Sequence, residues 1–333
     1  MSFHKDIKNY ENNNSMNDMR GASYIDMLKP KIKAKQNDNV INIINMLKMA
    51  NDGKEAYLEL LSVAIIHNNL EIIKFIIEKY IGTEIDYSIN MNALCFFNSI
   101  LPDDSEMKLI DSEENYIEII CPFTLMAGIG GNIEIFKYLF NHELIQDLNT
   151  FGIIGLSKKY KNIINSNIVG ACAYYGNDKL LEYLLNNYRS DLDINIITEE
   201  EKSKKSNNEI SKELSETTPP LLACAGPSSD KKTYEILKIL EDYKSNFNNK
   251  DFNGNNIIHI AAKRNKIQTL RFLINSLHLE DIIDEKNNDN FTPFDIAEQM
   301  NNKEIISFFN NFRKKVIILK KMKKKYIERR KKI

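Results

Sequence analysis

The chain has 333 residues, 43% hydrophobic and 27% charged, with four cysteines. That is ample for a buried core in one large or two ordinary domains, and the longest apolar runs fall short of the ~18 residues a membrane span needs. The formal net charge of −1 hides an asymmetry: Arg313–Ile333 carries 12 Lys/Arg against one acid, Glu328, a net of +11, so the preceding 312 residues carry −12.

The N-terminus, "MSFHKDIKNYENNNS", has no apolar core of signal-peptide length. Residues 1–38 read as a mostly disordered segment, and residues 39–50 as a capping helix or half repeat. From there one unit recurs: a short amphipathic helix, a tight polar turn, then a helix with apolar residues at i, i+3 and i+4. Glu59–Ile77 reads "ELLSVAIIHNNLEIIKFII". Pro122–Phe140, "PFTLMAGIGGNIEIFKYLF", has a glycine-widened turn. Asn167–Leu185, "NIVGACAYYGNDKLLEYLL", is a third copy. Thr218–Leu240, "TPPLLACAGPSSDKKTYEILKIL", fits with about five extra residues between its helices. Asn256–Ile274, "NIIHIAAKRNKIQTLRFLI", and Thr292–Phe309, "TPFDIAEQMNNKEIISFF", complete the series. The repeat region is thus 39–312, with units near 56–82, 120–143, 167–190, 218–245, 251–280 and 287–312. Insertions fall at 83–119, 146–166 and 191–217. The first is long enough to hide a degenerate repeat around "MNALCFFNSI"; the third, with "TEEEKSKKSNNEISKELSE", reads as a mobile surface loop. Residues 313–333 form a basic helix or tail.

Each unit carries a small residue at one register of its first helix: Ala64, Ala127, Cys172, Ala223, Ala261 and Ala297. Helices packed side by side need such a residue at the crossing. Thr292-Pro293-Phe294-Asp295-Ile296-Ala297, Ile258-His259-Ile260-Ala261-Ala262 and the turn Asp251-Phe252-Asn253-Gly254 together resemble the ankyrin repeat, with its Thr-Pro-Leu-His-x-Ala opening and Leu-rich second helix. The resemblance covers roughly 53–312. It implies an all-α solenoid of stacked helix-turn-helix units joined by short β-turn or loop connections. Spacings of 63, 45, 51, 38 and 36 between the small residues exceed the repeat's usual ~33.

No phosphate loop, GxGxxG, HExxH or GxSxG is present. His4, His67, His142, His259 and His278 have no second His or Cys at metal-ligand spacing, and Cys95, Cys121, Cys172 and Cys224 form no CxxC and read as buried free thiols. The expectation is a non-enzymatic chain with no cofactor, metal or small-molecule substrate. The acidic clusters Asp103–Glu106 and Asp111–Glu114 and the serines at Ser215, Ser228 and Ser229 read as solvated loop. His259 could be a base, a ligand or scaffold. The other units carry Ser62, Leu125, Gly170, Leu221 and Asp295 at its register, which argues against shared histidine chemistry. In ankyrin repeats that histidine caps the first helix, so the resemblance assigns it to the scaffold.

The resemblance also implies an extended concave protein-binding surface, with contacts from the turn tips and the two residues after the Ala-Ala of each first helix. Carried onto this chain, the helix positions are Ile66 and His67, Ile129 and Gly130, Tyr174 and Tyr175, Lys263 and Arg264, and Gln299 and Met300. The fourth unit departs too far at Ala225-Gly226 to be assigned. The turn tips are Phe252, Asn253, Asn255 and Phe291. In the basic tail, Val316, Leu319, Met322 and Tyr326 form one stripe at helical spacing, fit to dock an anionic partner, be it membrane, nucleic acid or protein. The expected function is a protein-interaction scaffold or adaptor with this second docking element; the alternative is a nucleic-acid or anionic-membrane binder acting through the tail. The expected setting is cytoplasmic, or nuclear through the tail.

Overall fold

A computed structural model describes residues 22–47, 53–81, 88–92, 118–157, 162–195 and 217–330. The expectations for residues 1–20, the acidic clusters, Cys95, Ser215, the hidden repeat near 91–100 and most of the 191–217 loop lie outside them. The chain forms two compact units, 1–168 and 169–333.

In the first unit, helices α1 (Ala22–Lys33) and α2 (Asn37–Leu47) are followed by α3 (Gly53–Ile66) and α4 (Leu70–Ile76), the last ending in a π-helical turn, Ile77–Ile81. Strands β1 (Ser88–Asn92) and β2 (Glu118–Pro122) pair antiparallel, then come α5 (Phe123–Gly130) and α6 (Ile133–Asn141) and a second hairpin, β3 (Gly152–Ser157) with β4 (Asn162–Ser166). First helices stack on first helices, α1 on α3 and α3 on α5, and α2 lies against α4. Within the segment 1–38, read as mostly disordered, residues 22–33 form the helix α1. Its lysines and Pro30 mask a buried stripe, Leu28 and Ile32, which continues into Val40, Ile43 and Ile44 of α2. The insertion at 146–166 folds rather than loops: β-branched Ile154 and Ile164 are buried, and a bulge lies between Ile153 and Gly155.

The second unit holds four helix pairs among its described residues. They are α7 (Ile168–Tyr175) with α8 (Asp178–Asn187), α9 (Pro219–Ala225) with α10 (Asp230–Asp242), α11 (Ile257–Lys263) with α12 (Ile267–Asn275), and α13 (Pro293–Gln299) with α14 (Lys303–Arg330). Helix α9 packs on α11 and α11 on α13, while α8, α10 and α12 form the parallel row. All six small residues at the crossing register are buried, at 1% exposure or less. Neighbouring backbones approach so closely that side chains are excluded: a Cβ on Gly226 would stand 1.9 Å from the Tyr174 carbonyl oxygen.

The turns explain why a sequence poor in glycine still makes these pairs. Between first and second helix the chain crosses the left-handed region in most pairs, α9–α10 excepted, where Gly226 has a φ of −66°. Gly131 and Gly176 serve there in two pairs, and Asn68, Asn265 and Asn301, with φ of 54–58°, in three others. After Asn68 and Asn301 the next residue donates from its side chain to a carbonyl of the preceding pair. Asn69 Nδ2 reaches the Ile32 carbonyl at 3.1 Å, and Asn302 Nδ2 reaches that of Ala262 at 2.7 Å. These bonds add a second donor to last-turn carbonyls that also accept a backbone N–H, from Lys35 and Asn265 respectively.

Candidate interaction surface

The turn tips come first. Asp251 accepts the Asn255 backbone N–H at 2.8 Å and its Nδ2 at 3.0 Å, and Gly254, at φ +72°, closes the turn. The next tip repeats this geometry without glycine: Asn290 sits at φ +65°, and Asn287 N–H donates to the Phe291 carbonyl as Asp251 N–H does to that of Asn255. The two tips are tied together, since Asn287 Nδ2 donates to Asn255 Oδ1 and Asn288 N–H to the Asn253 carbonyl. Asn255 is therefore buried inside this lattice, which removes it from the contact positions. Asn253 is half-buried, while Phe252 and Phe291 project with 41% and 38% of their surface exposed.

His259 is fully buried at the third residue of α11. Its Nε2 lies 3.0 Å from the Phe291 carbonyl and can only donate to it, which leaves Nδ1 to accept the Asn256 N–H at 3.2 Å. Asn256 in turn caps the backbone N–H groups of Ile258 and His259. Burial holds the imidazole below its ordinary pKa, against the opposing pull of the Phe291 carbonyl. Thr292 and Asp295 form the same reciprocal cap on α13.

Past the small residues, the ends of the first helices divide. Lys263, Arg264, Gln299 and Met300 are exposed, and Tyr175 and His67 are half-buried. Ile66, Ile129 and Tyr174 are buried, which corrects their assignment as contacts. Tyr174 turns inward, and Gly226 of the next pair approaches its backbone carbonyl; burial pushes its hydroxyl up to about 12, with Arg264 close enough to oppose the rise. Tyr175 meets the Tyr174 ring edge-on, with centroids 5.1 Å apart. Gly130 faces the Ile65 carbonyl, 2.6 Å from where a Cβ would be.

Lys266 joins the functional residues only in the structure. It stands at the register of Asn69 and Asn302, is 4% exposed, and donates to the carbonyls of Ala223 and Gly226 at 3.1 Å and to Thr233 Oγ1 at 2.7 Å. Desolvation lowers its pKa to about 8. The visible signal was a lysine where Asn69, Asn132, Asn177 and Asn302 stand in other units. Cys172 and Cys224 are free and buried; burial pushes both thiols up, Cys224 to about 12, so neither is poised as a nucleophile. Among the described residues no group of His, Cys, Asp and Glu could hold a metal. Of the loop serines, Ser229 caps α10 through the Lys232 N–H, and Ser228 pairs with Thr233.

Helix α14 runs 28 residues and leaves the repeat behind after Phe312. Arg313 binds Asp284 at 2.8 Å and covers the Phe294 ring, fixing the point of departure. Beyond it Val316 is half-buried and Leu319 and Met322 are exposed; the backbone of Tyr326 is helical and its side chain lies outside the described residues. No helix among the described residues is long and apolar enough to cross a membrane.

Stacked helix pairs with projecting, mutually bonded turns define a helical-repeat protein. Residues 205–315 match the family model for ankyrin repeats, in three copies. Residues 205–315 are thus similar to ankyrin repeats within an all-α stack, and Ala64, Ala127 and Cys172, on first helices before residue 205, are buried at the same register. No curated protein gives a significant match. Ankyrin repeats are in general protein–protein interaction modules and typically non-enzymatic.

Proposed function

We propose that the chain is a non-enzymatic scaffold or adaptor that binds a protein partner through the second unit. The contacts are Phe252, Asn253 and Phe291 at the turn tips and Tyr175, Lys263, Arg264, Gln299 and Met300 at the first-helix ends. In the first unit, His67 is the half-buried counterpart. One observation carries this reading. Large apolar and cationic side chains stay exposed on adjacent repeats whose backbones are locked together by Asn255–Asn287, Asn253–Asn288 and His259–Phe291 bonds. A rigid surface loses little entropy on binding, and exposed aromatic and Arg side chains supply anchors. Lys263 and Arg264 favour an acidic partner. Free buried thiols suit a reducing, cytoplasmic or nuclear setting.

The basic helix α14 is a second docking element for an anionic partner. A reading in which it alone binds nucleic acid or an anionic membrane is the alternative, and salt separates the two. Tail-driven binding collapses as ionic strength rises, whereas capture through Phe252, Phe291 and Tyr175 persists. The direct test compares the full chain with Lys263→Glu/Arg264→Glu/Met300→Ser. Because Lys263 lies near buried Asp251, capture is scored at a temperature where circular dichroism shows the variant folded; it is expected to weaken, and undiminished capture removes this surface from the proposal.

A further inference from the structure

The stripe of α14 that seals the last repeat continues past its cover. Ile305 and Phe309 are buried, Phe312 and Val316 half-buried, and Leu319 and Met322 are 54% and 62% exposed. Ile317, Ile318 and Ile327 are exposed as well. At helical spacing Ile318 and Ile327 flank the Val316–Leu319–Met322 stripe, Lys315 and Lys323 fall within the same arc, and Ile317 falls on the opposite face, so aliphatic and basic side chains are interleaved around the helix. The segment Arg313–Ile333 adds a net of +11, from 12 Lys/Arg against Glu328. From Arg313 to Arg330 the helix advances about 27 Å.

Three surfaces could meet these charges, and the aliphatic side chains choose between them. Duplex phosphates would neutralise the lysines and leave Ile318, Leu319 and Met322 in water. A protein groove takes one stripe and leaves the flanking isoleucines uncovered. The interface of an anionic bilayer takes both: aliphatic groups enter the acyl boundary, and long basic side chains reach back to the headgroups. The helix is too charged to span, so it lies in the plane of the surface.

We propose that α14 beyond Phe312 is an in-plane anchor for an anionic lipid surface and holds the repeats against it. This rests on the reading of the helix as a docking element and is independent of the repeat surface, because Lys263→Glu/Arg264→Glu/Met300→Ser leaves the anchor intact.

The chain has no tryptophan, so Met322→Trp in the full chain provides the sole indole. With vesicles of phosphatidylcholine containing phosphatidylserine, its emission is expected to shift to the blue and the chain to sediment. Pure phosphatidylcholine vesicles are expected to do neither. A second variant, Ile318→Gln/Leu319→Gln/Met322→Gln, keeps every charge and alters only exposed side chains, so its helicity is retained. Its partition to the anionic vesicles is expected to fall about tenfold or more, while its retention on immobilised duplex RNA stays that of the parent. The proposal is overturned if the parent ignores anionic vesicles or if the glutamine variant binds them equally well. RNA binding without vesicle binding or a blue shift would reassign the helix to nucleic acid.

Discussion

Lys266 is an ammonium group placed where the other repeats use asparagine, and its burial makes a quantitative expectation possible. Its pKa falls from 10.5 to about 8, chiefly by desolvation. The unfolded chain therefore binds the proton more tightly than the folded one between those two values. Stability contributed at this site rises with pH across that window, because the unfolded state holds more protons there. The full difference is about 3 kcal/mol, and about 2 kcal/mol of it falls between pH 8 and 9.5. The raw stability curve will not display it. The raised thiols of Cys172 and Cys224 act with the opposite sign: their folded pKa values lie above the unfolded value of 9.0, so their contribution falls as pH climbs past it. The comparison of wild type with Lys266→Met cancels the Cys172 contribution and exposes the amine. In urea unfolding followed by circular dichroism, the stability of wild type relative to the variant should increase by about 2 kcal/mol from pH 8 to pH 9.5. A pH-independent difference would mean that Lys266 is as well solvated in the folded chain as in the unfolded one, and the reasoning would fail.

Three further outcomes follow from the repeat packing. His259→Ala removes a cap and the bond to the Phe291 carbonyl, and should lower stability by about 1–2 kcal/mol. Because burial depresses the folded pKa of His259, the wild type should lose stability as pH falls below 6.5, and the variant should lose that slope; a thermal melt series between pH 7 and pH 5 reads both. Gly226→Ala should destabilise by about 1–3 kcal/mol or more, since the added methyl meets the Tyr174 carbonyl at 1.9 Å; its φ of −66° means the cost is steric, so Gly226→Ser should be no better tolerated in the same assay. By contrast, Lys232→Ala removes an exposed pair with Asp178 and should shift stability by less than about 1 kcal/mol in chemical denaturation.

Much of this architecture was legible in the sequence. The buried small residues Ala64, Ala127, Cys172, Ala223, Ala261 and Ala297 could be read because a crossing tolerates little else. The scaffold role of His259 was legible through the resemblance and through the varied residues at its register, and the cap partner Asn256 stands only three residues away. What escaped depends on distant neighbours. Helix α1 was hidden because its stripe, Leu28 and Ile32, is diluted by lysines and broken by Pro30. The hairpin at 152–166 escaped because isoleucine is common throughout the chain, so β-branching carried little information locally. The close approach of Gly226 to the Tyr174 backbone, some fifty residues away, and the burial of Asn255 against Asn287 in the next repeat involve partners far off in sequence. Lys266 could be identified only once three oxygens of the preceding pair were placed around its amine.

The central claim is that exposed residues on the second unit recognise a protein. Its most direct test is quantitative affinity capture from cell extract with the full chain, read by mass spectrometry against Lys263→Glu/Arg264→Glu/Met300→Ser and repeated at high salt. A discrete protein is expected that is retained by the parent at high salt and lost from the variant at equal helicity. An identical set of captured proteins with parent and variant would contradict it.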